Sequence, residues 1–133
     1  MSKRILVVED QEDNRRILRD LLTASGYEVL EAPTGEEGVT MAETHQPDLI
    51  LMDIQLPGID GHEATRRIKA NPTLKHIPLI VVTSYALSGD DAKARAAGAD
   101  DYVTKPFSPR ALLAKVRQHL NEEPPSPAGR GLT

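Results

Sequence analysis

The sequence predicts an α/β domain built on a doubly wound parallel sheet with helices on both faces. Three observations lead there. Short apolar, β-branched runs alternate with amphipathic stretches, giving five β-α units in series. The run Leu49-Ile50-Leu51-Met52 has no polar interruption, the pattern of a strand buried on both faces. It ends in Asp53, and Leu56-Pro57-Gly58 cannot continue a strand. A carboxylate is thereby placed at the carboxyl end of a central strand, where open α/β sheets bind ligands.

The first strand is Ile5-Leu6-Val7-Val8, ending in Glu9-Asp10. Asp13 and Asn14 are candidate N-caps for a helix that carries Ile17, Leu18, Leu21 and Leu22 on one face and stops at Gly26. Tyr27 to Ala32 is the second strand. Thr34, with Glu37 three residues on, resembles a capping box for a helix to about His45. Pro47-Asp48 opens the third strand. A helix over Gly61 to Ala70 is ended by Asn71-Pro72. Pro78 starts the fourth strand, Leu79 to Thr83. Ser88 or Asp90 opens an Ala-rich helix closed by Gly98, and Asp101 to Thr104 is a short fifth strand. After the break at Lys105-Pro106, Ser108-Pro109 form an N-cap and first-turn pair. The last helix runs to about Leu120, with Leu112, Leu113, Val116 and Leu120 on its apolar face. Residues 1–121 are thus expected as one folded domain. The stretch 122–133 lacks apolar periodicity and is expected as a disordered Pro/Gly-rich tail.

Composition narrows the function classes. With 133 residues and 39% hydrophobic content, the chain can bury one core. Its formal charge of −4 argues against a nucleic-acid partner, as does the scarcity of aromatic residues for stacking on bases. Without cysteine, neither a disulfide framework nor a thiolate metal site is available. The four apolar residues after Met1-Ser2-Lys3-Arg4 are too few for a signal peptide or a membrane span, so a cytoplasmic protein with no membrane partner is expected.

Chemistry gathers at the strand ends. In a doubly wound sheet the first and third strands can be neighbours, which brings Glu9, Asp10 and Asp53 to one edge. Carboxylates that close repel and need a cation. Hard oxygen ligands with room for water suit Mg²⁺, or Mn²⁺, better than Zn²⁺. Two further strand ends supply Thr83 and Lys105. A hydroxyl and an ammonium beside a carboxylate and a divalent ion suit a phosphoryl group. The carboxylate attacks phosphorus, metal and lysine neutralise the equatorial oxygens, and the hydroxyl donates a hydrogen bond. Each residue alone has a simpler explanation: a solvated turn, a strand threonine, a surface lysine. Together those explanations require polar residues to fall by accident on four strand ends of five.

These residues carry a resemblance. The pair Glu9-Asp10, Asp53 within Met52-Asp53-Ile54-Gln55-Leu56-Pro57-Gly58, Gly61, Thr83-Ser84 and Lys105-Pro106-Phe107 are similar to the receiver domain of two-component response regulators, over about residues 3 to 121. The resemblance implies the flavodoxin-like receiver fold, five parallel strands in the order 2-1-3-4-5 with five helices. It implies that Asp53 accepts phosphate from a histidine kinase or a histidine phosphotransfer protein. Asp10, Asp53 and the main-chain carbonyl of Gln55 would hold Mg²⁺, with Glu9 acting through water. Lys105 would pair with the phosphoryl group. Thr83 and Tyr102 would form a switch pair, the ring of Tyr102 moving in from an exposed position. Tyr85, two residues beyond Thr83, would shield the phosphorus from water.

The run from Gly98 to Pro109 is similar to receivers that drive winged-helix transcription factors and that often dimerise through helix 4, strand 5 and helix 5. The positions matching one of their cross-subunit ion pairs are Asp91 and Ala111, which cannot form it, whereas Asp100, Asp101 and Lys115 are available for others. The expectation is therefore a stand-alone receiver, a monomer or weak homodimer that signals to a downstream protein target through that face. It would not be an enzyme acting on an external metabolite. A Mg²⁺-dependent phosphatase with an aspartyl nucleophile is the rival reading. Such enzymes usually carry an acid two residues after the nucleophile, and Gln55 stands there. A phosphorylation-independent adaptor would not need the acids or Lys105.

Overall fold

The computed structural model of the chain describes residues 3–83 and 90–121. Five strands, β1 (Arg4–Val8), β2 (Glu28–Ala32), β3 (Leu49–Asp53), β4 (Leu79–Thr83) and β5 (Asp101–Thr104), alternate with five helices. These are α1 (Glu12–Ala24), α2 (Gly35–His45), α3 (Gly61–Ala70), α4 (Asp90–Ala97) and α5 (Pro109–His119). All strand pairings are parallel and the order is β2-β1-β3-β4-β5, as expected.

Strand alternation divides the core in two. Leu6, Val8, Ile50, Met52, Leu79 and Val81 point to one face, where Ala42 of α2, Ala64 and Ile68 of α3 and Ala94 of α4 cover them. Ile5, Val7, Leu49, Leu51, Ile80, Val82 and Val103 point to the other, against Leu18 and Leu22 of α1 and Leu112 and Val116 of α5. The central strands β3 and β4 are buried at every position. That is why they read in sequence as unbroken apolar runs rather than as alternation.

Most local signals act as read. Thr34 accepts a hydrogen bond from the Glu37 N–H at 3.1 Å, and Ser108 accepts one from the Ala111 N–H at 3.3 Å, with Pro109 in the first turn. Four boundaries differ, the first being β1, which starts at Arg4 and not at Ile5. The N-cap of α1 is Gln11, which makes no side-chain cap bond, and Asp13 and Asn14 lie inside the helix. The carboxylates of Glu12 and Asp13 still complement its dipole there. Tyr27 precedes β2 and is buried beside Leu22, while Pro47-Asp48 precedes β3. Ser84, Tyr85, Ser88 and the expected tail 122–133 lie outside the described residues.

Gly61 fixes how α3 approaches the strand end. Its N–H donates to the Ile54 carbonyl at 2.9 Å. A Cβ added there would lie 2.2 Å from the Asp53 carbonyl oxygen and 2.7 Å from the Ile54 Cα. These are backbone atoms of the Asp53–Ile54 peptide, which leave no cheap relaxation. Gly61→Ala is therefore expected to destabilise the domain by about 1–3 kcal/mol, the usual cost of overpacking, as read by denaturant unfolding. Wild-type stability would show that α3 can shift freely away from Asp53.

Candidate functional site

The sheet order makes β1 and β3 neighbours, and their carboxyl ends carry the acids. The Glu9 N–H donates to the Ala32 carbonyl at 3.0 Å, one step beyond the last paired residue of β1. Asp53 is the last residue of β3 and pairs with Val82. Both chain segments then leave the sheet, and Glu9, Asp10 and Asp53 each bring an oxygen within 4.8 Å of the others. Glu9 and Asp53 are buried, at 2% and 6% exposure, and Asp10 is half-buried at the rim. The Gln11 N–H donates to Glu9 Oε2 at 3.0 Å and the Gln55 N–H to Asp53 Oδ1 at 3.3 Å.

Lys105 follows β5, its own N–H bonded to the Thr83 carbonyl at 2.7 Å. Its Nζ lies 3.1 Å from Glu9 Oε1 and 3.4 Å from Asp53 Oδ2. Burial works against the ammonium, but the charges of Asp53 and Glu9 outweigh it and the Lys105 pKa is raised. The carboxyl of Glu9 is also pushed up, first by burial and then by repulsion from Asp53, against the Gln11 N–H and Lys105, which pull it down. Three carboxylates face one ammonium, so the cluster keeps negative charge that a small hard cation can neutralise.

Thr83 is buried at the end of β4, level with Thr104. Tyr102 sits two residues back on β5, outside the acid cluster, and packs on the core face shared with α3 and α4. Its ring is half-buried rather than exposed, and the Arg95 guanidinium stands 5.6 Å from the ring centre. The two residues lie on the same face of the sheet, Tyr102 level with Val81 and Thr83 two positions further along β4. Asp100, Asp101 and Lys115, expected to be available for pairs between subunits, are engaged within the chain. Asp100 accepts from Lys69 Nζ and from the Leu79 N–H, both at 2.8 Å. Asp101 contacts Lys115 Nζ and His119 Nε2, each at 3.0 Å. Burial raises the Asp101 carboxyl, but the bonds to His119 and Lys115 overcome this and its pKa is lowered.

Two residues at the site went unread in the sequence. Arg15, on the first turns of α1, donates to the main-chain carbonyls of Glu9 at 2.9 Å and Asp10 at 3.3 Å. Its Nε meets Glu31 of β2 at 3.3 Å. The available signal was Glu31 itself, an acid paired in register with the buried Val7 and so turned toward the α1 side of the sheet.

The chain matches the response regulator receiver domain family over residues 5–117. It is 42% identical over 122 residues to the polar-differentiation response regulator DivK of Brucella ovis, covering 92% of this chain and 99% of that protein. Among solved structures it resembles the receiver domain of a sensor histidine kinase from Pseudomonas aeruginosa, which holds a magnesium ion in its active-site cleft. That match has a TM-score of 0.86 and 35% identity over 92% of this chain and 100% of the other. The chemotaxis response regulator CheY4 of Vibrio cholerae matches with a TM-score of 0.84 and 26% identity, over 90% of this chain and 99% of its own. Among the described residues no helix is long and apolar enough to cross a membrane. With its sheet order, its acid cluster and a family match spanning most of its length, the chain belongs to the response regulator receiver domains.

Proposed function

We propose that Asp53 accepts a phosphoryl group from a histidine kinase or a histidine phosphotransfer protein, with Mg²⁺ held by the acid cluster. The observation that carries this reading is the meeting of Glu9, Asp10, Asp53 and Lys105 at the ends of three strands. Asp10, Asp53 and the Gln55 carbonyl are the direct ligands in this reading, with Glu9 reaching the ion through water. Mn²⁺ suits the same oxygens. Mg²⁺ when bound supplies positive charge to the phosphoryl oxygens.

The rest is the work of side chains. An Asp53 oxygen attacks phosphorus, the bond between phosphorus and the donor imidazole nitrogen breaks, and an acyl phosphate forms. Lys105, whose ammonium the neighbouring charges of Asp53 and Glu9 favour despite burial, neutralises a phosphoryl oxygen. The Thr83 hydroxyl donates to another, and the shift is read by Tyr102 and the face made of α4, β5 and α5. A downstream protein, or weakly a second copy, binds that face. The module acts on no external metabolite, and Gln55, which cannot relay protons, stands where an aspartyl phosphatase needs its acid.

Acetyl phosphate with Mg²⁺ should add one phosphate to the wild type and none to Asp53→Asn, as seen by intact mass. EDTA should abolish the gain. Equal labelling of the two proteins would refute the assignment.

The raised pKa of Glu9 gives a second expectation. Without metal the folded chain holds this proton more tightly than the unfolded chain does. Protonation of Glu9 therefore contributes stability at low pH, and this is lost as pH rises from the ordinary carboxylate range through the raised value. Glu9→Gln removes this dependence, so the wild-type minus variant difference in melting temperature should fall across that window. Protons compete with the ion, so the Mg²⁺-induced gain in wild-type melting temperature should grow across the same window. A flat difference would show that Glu9 does not titrate there.

Beryllofluoride, a phosphoryl mimic, should move amide resonances at Asp53, Thr83, Tyr102 and α4, and Thr83→Ala should confine the changes to the surroundings of Asp53. Changes that never reach Tyr102 in the wild type would rule out this route of output.

A further inference from the structure

Among the described residues, no main-chain N–H of strand or helix bonds the two carbonyls of the acidic pair. The last ladder bond on this segment is donated by Glu9 N–H, and the first helical bond runs from Arg15 N–H to the Gln11 carbonyl. The carbonyls of Glu9 and Asp10 fall between them, and Arg15 Nη1 donates to both. The guanidinium is itself fixed. Its side chain is 17% exposed, and Glu31 holds Nε while a second oxygen of Glu31 takes Arg19 Nη1 at 3.1 Å. Charged donors of this kind are stronger and more directional than water in the same place.

We propose that Arg15, anchored by Glu31, is a positioning residue for the cation site: it fixes the peptides that carry Glu9 and Asp10 and so sets the affinity for Mg²⁺. The proposal rests on the phosphoacceptor reading above. Asp10 has the most to lose, since it sits at the rim and is the least buried of the three acids. The Arg15 guanidinium lies on main-chain carbonyls, so it would act through the backbone of Glu9 and Asp10.

Two effects of Arg15 have opposite sign. As a positive charge on the main-chain carbonyls of Glu9 and Asp10 it disfavours a nearby cation, and its removal would tighten binding. As a clamp it reduces the freedom of the ligands, and its removal would loosen binding. Groups that orient metal ligands typically cost on the order of 10- to 100-fold in metal affinity when lost. The clamp should therefore win.

Titration calorimetry with Mg²⁺ on the full chain decides this. Arg15→Ala should raise the Mg²⁺ dissociation constant by about tenfold or more, and the rate of labelling by acetyl phosphate should recover at saturating Mg²⁺. Arg15→Lys, which keeps the charge and a shorter reach, should lose less, and so should Glu31→Gln. Wild-type affinity in Arg15→Ala, with only a lower melting temperature, would show a strut between α1 and β2 and overturn the proposal. Tighter binding would show a charge effect and overturn it equally. If Arg15→Ala fails to fold, Arg15→Lys and Glu31→Gln should each still weaken Mg²⁺ binding, and wild-type constants in both refute the proposal. A wild type that binds no Mg²⁺ would instead bring down the phosphoacceptor reading and this proposal with it.

Discussion

Three carboxylates held within a few ångströms of one another, with one ammonium among them, are the constraint around which the molecule is arranged. Such a group does not assemble from local sequence. Glu9 and Lys105 are 96 residues apart and Asp53 stands between them in the chain, so only the sheet can bring them together. The sheet does it by placing β1 beside β3 and by ending β1, β3 and β5 at one edge. The two apolar faces supply the folding free energy that offsets the mutual repulsion of the acids. Lys105 removes part of that repulsion in the metal-free protein, and a bound cation would remove more.

The site is also ordered outward from the acids. Backbone N–H groups of Gln11 and Gln55 steer Glu9 and Asp53 from the loop side. Gly61 lets α3 close against the Asp53 peptide, where any side chain would collide with its carbonyl. On the far side, near the end of α3, Lys69 Nζ donates to the carbonyls of Lys75 and Ile77 ahead of β4 and to the Asp100 carboxylate before β5. The strand ends are thus held by bonds on several sides, while the helices that flank them differ in which core they cover.

Much of this was legible in the sequence, for definable reasons. Unbroken apolar runs at Leu49 and Leu79 mark strands buried on both faces, and Thr34 and Ser108 mark helix starts by chemistry that acts within four residues. The acids, Thr83 and Lys105 could be placed because each closes a strand, and strand ends share an edge in a parallel sheet. What could not be read depends on contacts between distant segments. Nothing near Arg15 says that its guanidinium turns back onto the peptides of Glu9 and Asp10. The half-burial of Tyr102 depends on the core residues of other elements that it packs against, and the pairing of Asp101 depends on where Lys115 and His119 lie on α5. Asp13 and Asn14 are good capping residues by type and so suggest a later start for α1, but the helix begins earlier, where the chain turns as it leaves β1.

The order of the sheet leaves β2 and β5 as its outer strands. Such strands expose unpaired main-chain groups that can recruit a foreign strand and seed aggregation. Both are blunted here. β2 carries an acid at Glu28 and another at Glu31, the latter tethered to two arginines of α1. β5 is four residues long, opens with Asp101 and is followed within two residues by Pro106, which has no N–H to offer a newcomer. Addition of a further strand at either border is therefore disfavoured. Contacts made through side chains on the faces of the fold, and not by lengthening the sheet, leave the strand register, and with it the alignment of the acidic residues, undisturbed.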